Sequence, residues 1–189
     1  MGQGEHQVSV KAEVEFSLST VGRIQMYDWT VLNHTVSESL AGGHVGAPVF
    51  VRWTAAAANS GRELKPLLAE MCAYAGSWLS AGPSRLYATG EEADGHLSLA
   101  LEYDNGASAL LAITLTNGRP CMNLAVLGAR GAIYHTDSTI LSRADGTASE
   151  FDTEILSSAA LSPEETVAAI ERSLAASLPV PLSPSGDQP

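Results

Sequence analysis

The 189-residue sequence is short of positive charge, of cysteine and of long apolar runs. Ten Lys and Arg stand against 21 Asp and Glu, for a formal net charge of -11. A protein that grips a nucleic-acid backbone needs a basic face, so the sequence argues against that partner. The acidity reads as a device for solubility. Cys72 and Cys121 show neither a disulfide framework nor a metal-ligand spacing, which suits a reducing cytoplasm. No apolar run reaches the roughly 18 residues of a membrane span. The charged opening residues 1–15 lack the apolar core of a secretory signal. His6, His34, His44, His96 and His135 are isolated, so no metal site is expected. No Gly-x-Gly-x-x-Gly turn is present to cradle a pyrophosphate, and no Gly-x-Ser-x-Gly elbow to carry a nucleophile. Gly128-Ala129-Arg130-Gly131 holds the nearest glycine pair, and its place between strands makes it a turn.

What is there is a patterned globular chain, 45% hydrophobic and only 16% charged. Residues 96–133 carry the clearest pattern. Leu97, Leu99, Leu101 and Tyr103 alternate with Ser98, Ala100, Glu102 and Asp104, a strand with one wet face. Asn105-Gly106 follows as a hairpin signal. Residues 109–116 are apolar on both faces, which predicts a central strand. Asn117-Gly118 is a second hairpin signal, and Met122, Leu124 and Val126 alternate beyond it. The expectation is a three-strand antiparallel meander.

Elsewhere the alternation of Val8, Val10, Ala12, Val14, Phe16 and Leu18 predicts a long strand. Asp28 is placed to cap a helix whose stripe is Trp29, Leu32, Val36 and Leu40. A strand is expected over 49–55 and a helix over 63–80, where Pro66 fits only the first turn. A short strand follows over 85–90, with weaker strands over 134–143 and 151–156. Ser162-Pro163-Glu164-Glu165 reads as a capping box, opening a helix lined by Val167, Ile170, Leu174 and Leu178. These elements predict one α+β domain over 1–182, an open, mostly antiparallel sheet with helices on one face. Residues 183–189 read as a disordered tail.

Several of these segments share an order and spacing with one known family. SLAGGHVGAPVFV, the helix ending WLSAGPSRLYA, the strands about Asn105-Gly106-Ala107, the run Leu124-x-Val126-x-Gly128-x-x-Gly131-x-Ile133, and AIERSLAASLPVPLS resemble the C-terminal domain of the Gfo/Idh/MocA oxidoreductases. That family comprises sugar and cyclitol dehydrogenases using a nicotinamide cofactor. The resemblance runs from about Val14 to Leu182. It implies a sheet domain that shapes a substrate pocket and forms oligomers through its sheet face.

Two things that the resemblance implies are missing. The nucleotide-binding half is absent, and with it the Glu-Lys-Pro lysine. The family's helix pattern Asp-x-x-x-His-x-x-Asp falls here on Leu67, Met71 and Tyr74. Leu and Met do not titrate, and a phenol is a weak acid. No cofactor is expected, and the chain alone is not expected to be an NAD(P)-dependent dehydrogenase.

The first functional reading is therefore a non-catalytic accessory or oligomerising subunit. It would act as a homo-oligomer through the sheet face, or beside a full-length oxidoreductase. The second is a repurposed, cofactor-independent isomerase, lyase or cyclase whose pocket holds a small molecule. Its candidate catalytic residues are Glu70, Tyr74 and His34, and its candidate substrate-binding residues are Arg23, Tyr27, Trp53 and Met71. For the aromatics Tyr27, Trp29, Trp53, Tyr74 and Trp78, core packing competes with a pocket role. A third reading is a fragment of a longer dehydrogenase, against which the strand at 8–18 stands as a settled beginning.

Overall fold

A computed structural model describes residues 29–59, 63–137 and 161–182. The strand expected at 8–18, the Asp28 cap, most of the strand at 134–143, the strand at 151–156 and the tail lie outside them, wholly or in large part. Helix α1, Trp29–Ala41, forms on the stripe read from the sequence: Trp29, Leu32 and Val36 are buried and Leu40 partly so. Strand β1, Pro48–Ala58, buries Val51, Trp53 and Ala55 on alternate positions. Helix α2, Leu64–Leu79, carries the widest buried face, and Ser80 closes it in a left-handed conformation. Strands β2 (Pro83–Glu91) and β3 (His96–Tyr103) follow, joined by a 3-10 turn at Glu92–Asp94. Then come β4 (Ser108–Thr116), β5 (Cys121–Gly128), β6 (Ala132–Asp137), α3 (Pro163–Ala176) and the two-residue β7, Val180–Pro181.

The strands form one seven-stranded sheet in the order β6-β5-β1-β4-β3-β2-β7. Only the β1–β4 pair is parallel; the others are antiparallel. The three described helices cover one face, so the architecture is the expected open α+β sheet.

The meander is corrected in one respect. Strands β3 and β4 form the expected hairpin, but β4 and β5 do not pair: β1 lies between them. Residues 117–120 step over that strand. Four residues reach about 13 Å, enough to span two inter-strand spacings of about 4.8 Å each. A turn signal records that the chain reverses. It does not record which strand becomes the neighbour.

The first hairpin signal also works differently from its usual form. Among the non-glycine residues with positive φ, Asn105 is absent; Gly106 alone turns left-handed there, at φ 79. The Asn105 side chain accepts from Ala107 N at 3.0 Å and donates to the carbonyl of Leu79 at 2.9 Å. It thus ties the hairpin to the end of α2.

Helix α3 has its capping box, with Ser162 Oγ accepting from Glu165 N at 3.2 Å. Of the predicted stripe, Ile170 is buried, Val167 and Leu174 are partly buried, and Leu178 is 62% exposed; Thr166, Ala169 and Ser173 share the buried face. The helix stops at Ala176 and Ser177 takes a left-handed C-cap, which turns Leu178 out of the stripe.

Strand β4 is central as expected, yet its second apolar face looks outward, with Leu110 41% exposed beside the fully buried Leu111. Leu110 belongs to a row across the sheet. Tyr134, Ala125, Arg52, Leu110, Ala100 and Tyr87 are successive cross-strand partners from β6 to β2. Among the described residues no helix covers this face.

Candidate functional site

The expected site lies where α2 crosses the sheet, and it is built largely of aromatic rings. Trp29 opens α1, Trp53 points inward from β1, and Tyr74 and Trp78 stand one turn apart on α2. Ring centroids of Trp29 and Trp53 are 4.8 Å apart, and those of Trp53 and Trp78 are 5.3 Å apart. Tyr74 meets each of the three indoles at 6.2 Å. Four of these five contacts are tilted or edge-on, and Tyr74 stacks on Trp78 at an interplanar angle of 30°. Asn33 is the polar member of the cluster. It is buried one turn beyond Trp29, and its Oδ1 accepts from Trp78 Nε1 at 2.6 Å and Ser37 Oγ at 3.3 Å.

The structure brings Trp53, Met71 and Tyr74 together, but as core: all three have 0% exposure. Leu67 is partly buried against the same core, and Glu70 is half-buried on α2. His34 is elsewhere. Its side chain is 67% exposed on the outer side of α1, 3.4 Å from Glu38. Arg23 and Tyr27 lie outside the described residues. Cys72 is buried on α2, and burial pushes its thiol up to about 12, which keeps it an inert thiol. Burial likewise raises the Tyr103 phenol well above its ordinary value, with Cys72 adding to the effect.

Of the three α2 positions singled out in the sequence, Leu67 is aliphatic and partly buried, and Met71 and Tyr74 are sealed in the core. Among the described residues no group of His, Cys, Asp and Glu is placed to hold a metal ion. No helix among them is long and apolar enough to cross a membrane.

The sequence reading missed two features. One is Asn33, whose signal was available: a polar residue inside an apolar helical stripe. The other is a charged network where α2 begins. Glu92 Oε1 accepts from Leu64 N at 2.7 Å, capping a helix whose own N-cap Glu63 makes no side-chain cap bond. Lys65 Nζ lies 3.3 Å from Glu92 Oε2 and 3.0 Å from Glu171 Oε1. The bond to Glu171, with help from Glu92, raises the Lys65 pKa against an opposing desolvation. Burial would raise the Glu92 pKa, but the Leu64 amide and Lys65 together bring it below its ordinary value. No local pattern links Glu92 to Leu64, because a whole helix separates them. The network borders a cleft of about 530 Å³ lined by Lys65, Tyr87, Thr89, Glu91, Glu92 and Ser177, among others.

No protein-family model and no curated protein matches the chain. Solved structures do. Myo-inositol dehydrogenase from Lactobacillus casei, in complex with NAD(H) and myo-inositol, is 17% identical with a TM-score of 0.60. The match covers 82% of this chain and 60% of that one. A probable dehydrogenase from Thermotoga maritima is 14% identical with a TM-score of 0.55, over 79% and 61% of the two chains. The WlbA dehydrogenase from Bordetella pertussis, in complex with NADH and UDP-GlcNAcA, is 16% identical with a TM-score of 0.52, over 79% and 59%. The chain thus spans less than two thirds of the length of the dehydrogenases it resembles. The likeness is one of fold, and the fold is that of part of the Gfo/Idh/MocA-type dehydrogenases.

Proposed function

We propose that this chain is a non-catalytic accessory or oligomerising subunit of an oxidoreductase system, working through its open sheet face. The observation that carries the reading is on α2. Where the resembled family has Asp, His and Asp, this chain has Leu67, Met71 and Tyr74, and the last two are sealed in the core. What the domain retains is a broad outer sheet face. Its central row mixes Leu110, Tyr87 and Tyr134 with the single cation Arg52. An exposed patch of this kind, apolar with a polar surround, marks association surfaces. The partner is a second copy or a full-length oxidoreductase.

Native mass spectrometry of the tagged chain recovered from its host tests this. The expected result is a fixed-stoichiometry assembly that Leu110→Glu dissolves without lowering the melting temperature. A monomer that recovers no oxidoreductase, with Leu110→Glu indistinguishable from wild type, overturns it.

The second reading, a cofactor-independent isomerase, lyase or cyclase, draws support from half-buried Glu70 one turn before Tyr74. Under it, Glu70→Gln or Tyr74→Phe abolishes turnover and leaves the fold intact; unchanged turnover in both removes that assignment.

A further inference from the structure

On the outer face of the sheet one histidine joins two hydroxyls. His96 opens β3, and its Nε2 lies 3.0 Å from Ser98 Oγ, two residues along the same strand. Its Nδ1 lies 2.8 Å from Oγ1 of Thr114, its partner across the β3–β4 ladder. His96 and Thr114 are exposed and Ser98 is half-buried, so the group is open to a reagent. A hydroxyl within hydrogen-bond reach of a base, with the base held by a third group, is the arrangement that activates a nucleophile. The tautomer that serves is the one protonated at Nδ1: Thr114 Oγ1 then accepts from the ring, and Nε2 accepts from Ser98.

We propose that Ser98 is a nucleophilic acylation site, with His96 as its base and Thr114 as a positioning residue, and that it takes an acyl group from an activated ester or thioester. Ser98 Oγ attacks the carbonyl carbon while its proton passes to His96 Nε2. The bond from that carbon to the leaving oxygen or sulfur breaks, the leaving atom keeps the electron pair, and the imidazolium gives its proton to solvent. Glu91, the β2 partner of His96, places a carboxylate at the neighbouring ladder position while the ring is charged.

The cleft of about 530 Å³ is lined by Thr89 and Glu91, the β2 partners of Ser98 and His96, so open space begins one strand from the hydroxyl. Strand β3 is paired on both sides, which commits its amides to the ladders and leaves none to hold an oxyanion. Ser98 should therefore take up one acyl group and keep it, without turnover.

The test is treatment of the full chain with p-nitrophenyl acetate at neutral pH, with the acetyl groups located over time by tandem mass spectrometry. Ser84, half-buried on β2, is the internal control, because its hydroxyl donates to the Glu102 carbonyl at 3.1 Å and not to a base. The expected result is acetyl on Ser98, formed at least about a hundredfold faster than on Ser84. His96→Asn should slow Ser98 by about the same factor in a protein that melts like wild type. Thr114→Val should slow it about tenfold, the worth of one hydrogen bond, and Thr114→Ser should restore it. The site shares the outer face with Leu110, so Leu110→Glu is run beside wild type to keep a covering partner from passing as an inert site. No acetyl on Ser98 in either protein, equal labelling of Ser84, or an unchanged rate in His96→Asn or Thr114→Val overturns the proposal.

Discussion

The two faces of the sheet are made of similar strands and have opposite fates. Leu110 and Leu111 are chain neighbours on the same central strand, yet one is 41% exposed and the other fully buried. The inner face of β1, β3, β4 and β5 meets α2 and the aromatic cluster. The outer face meets no helix among the described residues. Alternation along a strand says that its two faces differ or, as in β4, that both are apolar. It does not say which face is covered. Cover comes from elements distant in sequence, and apolar surface without cover is what a partner recognises.

That contrast can be broken by substitutions of graded size. Leu111→Ala empties part of the packed side and should cost about 2–5 kcal/mol in denaturant unfolding. Leu110→Ala on the other side should change the stability of the monomer by less than about 0.5 kcal/mol. Equal losses for both would mean that the outer face is covered in the folded chain.

A smaller effect is expected where the helix layer is fastened to the sheet. Glu92→Gln keeps an acceptor for Leu64 N but removes the charge facing Lys65, and should cost about 1 kcal/mol at neutral pH. Its pH dependence has a definite sign. The Glu92 pKa is lower in the folded state than its ordinary 4.5, so its stabilisation is complete above that value. It is lost as pH falls through the lower folded value. The wild type should therefore lose its advantage over Glu92→Gln in acid, measured by melting curves across pH 2–7. A constant difference across that range would show that the charge contributes nothing.

An effect of the opposite sign is expected deep inside. Tyr103 Oη is buried with no hydrogen-bond partner among the described residues. Tyr103→Phe removes an unmatched polar atom and should leave stability unchanged or raise it by up to about 1 kcal/mol. A loss larger than that would reveal a partner for the hydroxyl.

Much of the fold was legible because its signals are local. The period of Trp29, Leu32 and Val36 is helical whatever surrounds it, and Ser162 with Glu165 closes a capping box within four residues. The alternation of Leu97, Leu99 and Leu101 placed β3 and its inner face. Less of the site was legible. Trp53, Met71 and Tyr74 were candidates for a pocket or a core, and nothing in their own spacing separates the two. The packing of α1 on α2 decides it, by closing the rings over one another. His34 and Asn33 are adjacent in sequence and differ completely: one is solvated and the other lies in the aromatic cluster. A helix of 3.6 residues per turn separates neighbours by about 100°, and only the register of the docked helix says which of them turns inward.

By itself the sequence determined most of the described elements, their order and the turn sites. Each depends on residue chemistry or on periodicity over a few turns. The tertiary structure alone decided that β1 inserts between β4 and β5, that Glu92 caps a helix 28 residues away, and that no described helix covers the outer sheet face. Those outcomes depend on which distant segments meet, and that is settled by the simultaneous burial of many side chains, which no local stretch encodes.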